Sequence, residues 1–272
     1  MRAKRLSAAA VVSVVCGLAL LRFLRARGTA RTSEATARAE MVVECQGGAE
    51  RASPDAHSLR VLFRRIEDNF ATGYQTMTAI IQGVALVVLV TTAAHAVFGG
   101  GSGSQVATAA SQAVTVFVII IVTTDQFFQL ATATRWLPST FDTAIPYLIG
   151  AGEAVAAVSL GDDTRWWGGI AWSLLAGTIA FWHSALRATP NGFEGIEDYY
   201  QHFVQDVRRS GGICAGLCVY AVALSVTSAL AHLSPWVYIA APWVVTAVAI
   251  GRVVQVVRVR WGGVPARTRV IS

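Results

Sequence analysis

The sequence predicts an all-α, polytopic integral membrane protein built as a helical bundle, and two observations support this fold class. Of the 272 residues, 54% are hydrophobic and only 14% are charged, whereas a soluble domain carries about a quarter charged residues. Six apolar segments are each long enough to cross a bilayer, and basic residues concentrate in alternate connections between them. We therefore expect a multi-pass protein of the cell membrane, surrounded by the lipid bilayer.

Composition excludes several classes of function. Lys4 is the one lysine in the chain, so a retinal Schiff base in the last helix is excluded. The preference for arginine is typical of a GC-rich coding sequence, and we expect a bacterial inner membrane. The chain contains no phosphate-binding glycine loop, no His-Glu-x-x-His motif and no nucleophile elbow. We therefore expect no cofactor and no metal site. We also expect no nucleic-acid partner, because the basic residues follow membrane sidedness.

The chain begins with a basic and apolar segment, residues 1–27. Its apolar part, Leu6–Leu21, would extend about 24 Å as a helix, less than the hydrocarbon core of about 30 Å. Arginines follow this part where a cleavage site would show small residues. The segment is either a signal-anchor-like span or an interfacial helix, and residues 28–52 are a polar linker without apolar periodicity.

Residues 53–73 predict a cytoplasmic amphipathic helix that begins with a proline at its first turn. Apolar side chains recur at helical spacing, while Arg60, Arg64 and Arg65 lie on other faces and can contact anionic lipid headgroups. The basic cytoplasmic tail, residues 258–272, offers Arg258 and Arg260 for the same contacts.

Residues 74–257 form the membrane domain with six predicted spans. The spans are Thr76–Phe98, Val106–Leu130, Ala144–Leu160, Trp166–Leu186, Ile213–Leu233 and Trp236–Val257. The connections 99–105, 161–165 and 234–235 contain a single arginine, Arg165. Arginines are frequent in the other connections and flanks, so the positive-inside rule places both ends of the six-helix block in the cytoplasm.

Within the membrane domain, residues 190–209 predict a second cytoplasmic amphipathic helix. Its apolar face is accompanied by four acidic residues, Glu194, Glu197, Asp198 and Asp206. One hypothesis is that it docks on the 53–73 helix with Arg64 or Arg65 facing those acids. The alternative is that each helix lies in the interface with solvated charges, since exposed ion pairs contribute only about 0–1 kcal/mol.

Glu153 is the most informative residue, because it lies about 14 Å into the third span, near the bilayer midplane. An acidic residue there costs about 2.5–3.5 kcal/mol on insertion scales. We expect a neutral carboxyl that is hydrogen-bonded to a hydroxyl or a carbonyl. Small residues on the same span, including Gly152 and Ala156, predict that a neighbouring helix approaches closely.

A set of polar residues in the spans is predicted to form a proton, ion or substrate pathway. Its members are Glu153, Gln82, Gln126, Asp125, Tyr220, Ser173 and Thr246. Ser173, Tyr220 and Thr246 are the neutral groups whose register brings them near Glu153, whereas Asp125 lies near the cytoplasmic boundary and is expected to be hydrated. The three span histidines, His95, His183 and His232, are expected to be solvated in the interface.

Three functions agree with these residues. The first is a small proton- or cation-coupled transporter or channel that uses Glu153, as a homo-oligomer or with a partner membrane subunit because six spans are few. The second is a non-catalytic accessory or sensor protein, in which Glu153 only joins helices. The third is an intramembrane enzyme that uses a buried carboxylic acid on an apolar, isoprenoid-like substrate, although the lack of a deep second carboxylate favours a non-enzymatic role.

Overall fold

A computed structural model describes residues 54–133, 140–187, 197–231 and 233–262, which form six α-helices and contain no β-strand. Side chains are described for 72–130, 141–187, 200–231 and 233–256. The helices are α1 (Pro54–Phe98), α2 (Gly103–Ala133), α3 (Thr140–Val158), α4 (Asp163–Arg187), α5 (Glu197–Leu230) and α6 (Pro235–Gly262).

Each of these helices contains a stretch that is long and apolar enough to cross a membrane. The stretches are Thr72–Phe98, Gly103–Leu130, Phe141–Val158, Asp163–Arg187, Tyr200–Leu230 and Pro235–Val256. This finding confirms the all-α, multi-pass class, while the cytoplasmic placement of both ends stays a prediction. The chain divides into two compact units, one ending at Arg64 and one beginning at Arg65, and the packing below is that of the second unit.

The bundle is organised around α4, which packs against α3 on one side and α5 on the other, while α2 packs along α6. Trp166, Trp167 and Ile170 of α4 are fully buried, because the indole rings fill the space between helices that approach at small residues. The outer helices keep large apolar side chains exposed, such as Val219 on α5 and Trp236 on α6, as expected of surfaces that face lipid.

Consecutive helices run antiparallel, so the bundle has two distinct ends. The α1–α2, α3–α4 and α5–α6 connections lie at one end, which we call the turn end. The other end contains Arg187 at the close of α4 and Arg252 near the close of α6, and we call it the arginine end. At the turn end, Gln112 accepts a hydrogen bond from the backbone N–H of Gly161 and donates one to Asp163 Oδ1.

A close helix crossing joins α3 to α4 and involves two glycines. A Cβ on Gly152 would lie 2.6 Å from the backbone nitrogen of Ser173, and one on Gly169 would lie 2.6 Å from the backbone nitrogen of Ala156. The two backbones are therefore in direct contact, which agrees with the expectation from the small residues of α3. This crossing places residue 153 at the centre of the bundle.

Two segments differ from the sequence expectation of separate amphipathic helices. Residues 54–73 are continuous with the first span in α1, and residues 197–209 are continuous with the fifth span in α5. Neither junction contains a proline, and a glycine such as Gly73 costs a helix only about 1 kcal/mol. Gly211, near the second junction, does not end the helix. Its role is to leave room for Trp182 of α4, whose Cδ1 would be 2.6 Å from an added Cβ.

Several sequence predictions lie outside the described residues. These are the anchor-like segment 1–27, the linker 28–52, part of the 190–209 helix, His232, most of the basic tail, and the side chains of Arg60, Arg64, Arg65, Arg258 and Arg260. Their lipid contacts and the docking of the two amphipathic segments stay predictions.

Candidate functional site

Glu153 lies on α3 immediately after the Gly152 crossing and is fully buried, with 0% of its surface exposed. Neither carboxyl oxygen has a hydrogen-bond partner among the described residues. Its burial agrees with the sequence prediction, whereas its expected hydrogen bond to a hydroxyl or carbonyl stays a prediction, because the Thr123 hydroxyl and the Gln82 amide lie within hydrogen-bonding reach of the carboxyl. Of the hydroxyls that were expected nearby, those of Tyr220 and Thr246 are bonded to other helices, as described below.

Two polar side chains from neighbouring helices, Gln82 of α1 and Thr123 of α2, lie beside the Glu153 carboxyl. Gln82 is only 4% exposed, and both atoms of its amide also lack a hydrogen-bond partner within the described part of the chain. The Gln82 amide and the Glu153 carboxyl therefore lie within hydrogen-bonding reach of each other, and neither makes a well-aligned hydrogen bond.

Such a cluster is unusual, because a buried polar atom without a partner costs about 1–3 kcal/mol. Most buried polar atoms in native proteins are hydrogen-bonded to protein or to ordered water. A carboxyl, a carboxamide and a hydroxyl together supply oxygen atoms for a proton, a water molecule or a small cation. Among the described residues, no group of three or more His, Cys, Asp or Glu side chains is arranged to hold a metal ion.

A cavity of about 100 Å³ lies between α2, α3, α4, α5 and α6 in the half of the bundle nearest the arginine end. Arg252 and Ser210 line it near the arginine end, and Thr123 and Ser173 line it near the centre. Most of the remaining wall is apolar, from residues such as Ile119, Phe127, Leu174, Leu217 and Val245. Thr123 thus lies both beside Glu153 and on the wall of the cavity.

The structure brings together only part of the predicted pathway. Gln82 lies beside Glu153, and Gln126 and Ser173 line the cavity. The Tyr220 hydroxyl instead donates to the carbonyl of Ala241, at 3.3 Å.

Two further members of the predicted pathway also have partners elsewhere. The Thr246 hydroxyl is paired with that of Thr115 at 2.9 Å, in the contact between α2 and α6. Asp125 is half-buried, and its carboxylate accepts a hydrogen bond from Gln129 one turn later.

A second buried cluster, which sequence reasoning missed, joins the first turn of α3 to the last turn of α4. Asp142 is 2% exposed, and its carboxylate lies 2.7 Å from His183 Nε2 and 2.9 Å from Arg187 Nη1. The expectation of a solvated His183 is wrong, because this side chain is only 3% exposed. The sequence signal for this cluster was an acid in the first turn of one span and basic residues in the last turns of the next span. These ends lie side by side when the two helices run antiparallel.

Arg252 is the other residue that sequence reasoning did not single out. It is 7% exposed and joins α6 to α5 through the Asp206 carboxylate and the Ser210 hydroxyl, with Nε 3.0 Å from Ser210 Oγ. Asp206 was grouped with the acids expected near Arg64 or Arg65, but its carboxylate binds Arg252. The spacing of Asp206 and Ser210, one helical turn apart, was the available signal.

Comparison with protein-family models, with curated proteins and with solved structures finds no match for this chain.

Proposed function

We propose that this integral membrane protein is a small proton- or cation-coupled transporter or channel in which Glu153 binds and releases the ion. The observation that supports the proposal is the buried carboxyl of Glu153, whose polar neighbours Gln82 and Thr123 are neutral and make no well-aligned hydrogen bond with it. A carboxyl that serves only to join helices would form well-aligned hydrogen bonds to a neighbouring helix. An ion-binding carboxyl must instead have unoccupied oxygen atoms and a route to water.

The cavity supplies a route on one side of the carboxyl. It extends from Arg252 at the arginine end to Thr123, which lies beside Glu153. An ion or a proton that enters the cavity would reach Glu153 after a short rearrangement of the Thr123 side chain. Binding of a proton or cation neutralises the carboxylate, which reduces the free-energy cost of its burial in the membrane interior.

The route toward the turn end is closed by packing. Ala156 and Ala157, the next turn of α3, are fully buried, and the α3–α4 backbones touch at Gly152 and Gly169. A transported ion could leave on that side only if α3 shifted relative to α4. The proposal therefore includes alternating access, in which Glu153 is reached in turn from the cavity on the arginine side and from the turn end.

Proteoliposomes test the proposal. Purified protein would be reconstituted with a trapped pH indicator, and proton uptake would be followed after a valinomycin-driven membrane potential is imposed, with and without sodium outside. We expect uptake above that of empty liposomes, and a loss of roughly tenfold or more in Glu153→Gln, which removes the ionisable group at almost constant volume.

The matched control is Asp162→Asn, which is the same carboxyl-to-amide change at an exposed position of the turn end. The control should retain the wild-type rate. Wild-type protein without flux of protons or sodium, or Glu153→Gln with full flux, would contradict the proposal and favour the accessory function.

A further inference from the structure

We infer that the cavity binds a small monocarboxylate with an apolar body, and that the carboxylate of this ligand replaces Asp206 on Arg252. Its role as the substrate coupled to Glu153 rests on the function proposed above, whereas the binding site itself can be tested separately. The inference depends on three features: the anchoring of Arg252, the exposure of Asp206, and the apolar wall.

Arg252 is the one cationic side chain on the cavity wall among the described residues. Besides the Asp206 carboxylate, several neutral groups hold its guanidinium in place. Nε and Nη2 donate to Ser210 Oγ at 3.0 and 2.8 Å, Nη2 donates to the backbone carbonyl of Asp206 at 3.0 Å, and Nη1 donates to Gln255. The guanidinium would therefore keep its position if the Asp206 carboxylate moved away.

The Asp206 carboxylate binds Nη2 of Arg252 without lining the cavity, which shows that this guanidinium accepts a carboxylate as its partner. Its side chain is 23% exposed, whereas that of Arg252 is 6% exposed. Rotation of Asp206 toward the surface would thus return its charge to water and leave the buried guanidinium available. The planar donors of arginine match a carboxylate better than the single ammonium of a lysine does.

The rest of the cavity restricts the chemistry of the ligand. Phe127, Leu174, Leu217 and Val245 contribute apolar walls, and the free volume is about 100 Å³. A cavity of this size admits a short chain rather than a long acyl chain. A second carboxylate would be buried without a cationic partner, because Arg252 is the one cationic side chain on the described wall, which disfavours dicarboxylates.

The position of the cavity also suggests how ligand and ion would be coupled. The carboxylate would bind at Arg252, and the apolar body would extend toward Ser173 and Thr123, the side chain beside Glu153. One anion and one proton or cation would then occupy neighbouring sites, and their charges would cancel. This arrangement identifies the coupled process as symport of a monocarboxylate with a cation.

Titration calorimetry on purified wild-type protein in nanodiscs tests the inference. The experiment compares the binding of butyrate with that of its neutral analogue butyramide. We expect butyrate to bind at least tenfold more tightly than butyramide, because only the carboxylate can pair with Arg252. No butyrate binding, or equal binding of the two compounds, would overturn the inference without any variant being required.

Two variants separate a ligand site from a structural ion pair. Arg252→Gln should lose the preference for butyrate, whereas Asp206→Asn should bind butyrate severalfold more tightly, because the competing carboxylate is gone. Folded Asp206→Asn protein with unchanged or weaker butyrate binding would overturn the inference. Asp162→Asn, whose carboxyl is far from the cavity at the turn end, is the control for the loss of one negative charge.

The two proposals fail in distinguishable ways. Butyrate binding in wild-type protein that shows no proton or sodium flux, either with or without butyrate in the flux assay, would contradict the proposed transport function but leave the carboxylate site in place. Flux that depends on Glu153 in a protein that binds no butyrate would contradict the carboxylate site alone.

Discussion

Helix α3 contains two buried acids that differ in their surroundings, although they are only about 16 Å apart along the helix. Asp142, in the first turn, contacts His183 and Arg187 of α4. Glu153, three turns later, makes no well-aligned hydrogen bond through either oxygen within the described part of the chain. Both are buried to nearly the same extent, at 2% and 0% exposure.

The difference shows that burial alone does not identify a functional acid. Asp142 has two basic partners, so its negative charge is balanced and its role is to hold α3 against α4. Glu153 has only polar neutral neighbours, Gln82 and Thr123, so its charge is balanced only when it binds a proton or a cation. The predictions below test this contrast between a structural and a functional acid.

The largest effect is expected from Asp142→Asn. This change leaves two basic side chains, His183 and Arg187, without their carboxylate in a largely buried site. Removing one partner of a buried ion pair typically costs about 3–5 kcal/mol, and we expect about 3 kcal/mol because Arg187 is partly exposed. The loss is measured as the change in the free energy of unfolding in detergent micelles by titration with SDS.

Asp162→Asn is the control for that measurement. Asp162 and Arg165 form an exposed pair, whose removal should change stability by about 0–1 kcal/mol. An Asp142→Asn protein as stable as this control would show that Asp142 does not hold α3 against α4, and the contrast with Glu153 would then lose its basis.

A smaller loss is expected from Gly152→Ala, which tests the crossing next to Glu153. The new methyl group would lie 2.6 Å from the backbone nitrogen of Ser173 and 2.9 Å from the carbonyl oxygen of Gly169. Neither atom can move without displacing a helix backbone, so we expect a loss of about 2 kcal/mol in the same unfolding assay.

Gly216→Ala on α5 provides the matched comparison, because a Cβ there would have no atom within 4 Å. An alanine in an open helical position should stabilise the protein by about 0.5–1 kcal/mol. Equal effects at the two glycines would mean that the α3–α4 backbones are not in contact at residue 152.

The sequence predicted the membrane fold well because hydropathy determines it directly. The predicted third span, Ala144–Leu160, overlaps Phe141–Val158, and the predicted fourth, Trp166–Leu186, lies within Asp163–Arg187. The continuity of α1 and α5 was missed. Amphipathic and apolar segments differ in hydropathy, and a change of hydropathy does not by itself end a helix.

The candidate site was only partly predictable. The depth of Glu153 follows from the helix rise, and its burial agrees with the small residues around it. Its neighbours depend on how each helix is rotated about its axis, which depth does not determine. Tyr220 and Thr246 have suitable depths, yet their hydroxyls bond to Ala241 and Thr115.

The smallest effect on stability is expected from Glu153→Met, and this variant tests the contrast most directly. Methionine has a similar length and removes two polar atoms that make no hydrogen bond within the described structure. Replacing an unsatisfied buried polar group with an apolar one is nearly neutral or stabilising. We therefore expect the free energy of unfolding to stay constant or to rise by about 1 kcal/mol, while ion flux in proteoliposomes is lost. A loss of about 2 kcal/mol or more would instead mean that Glu153, like Asp142, holds helices together, because only a carboxyl with partners in the folded state can stabilise it.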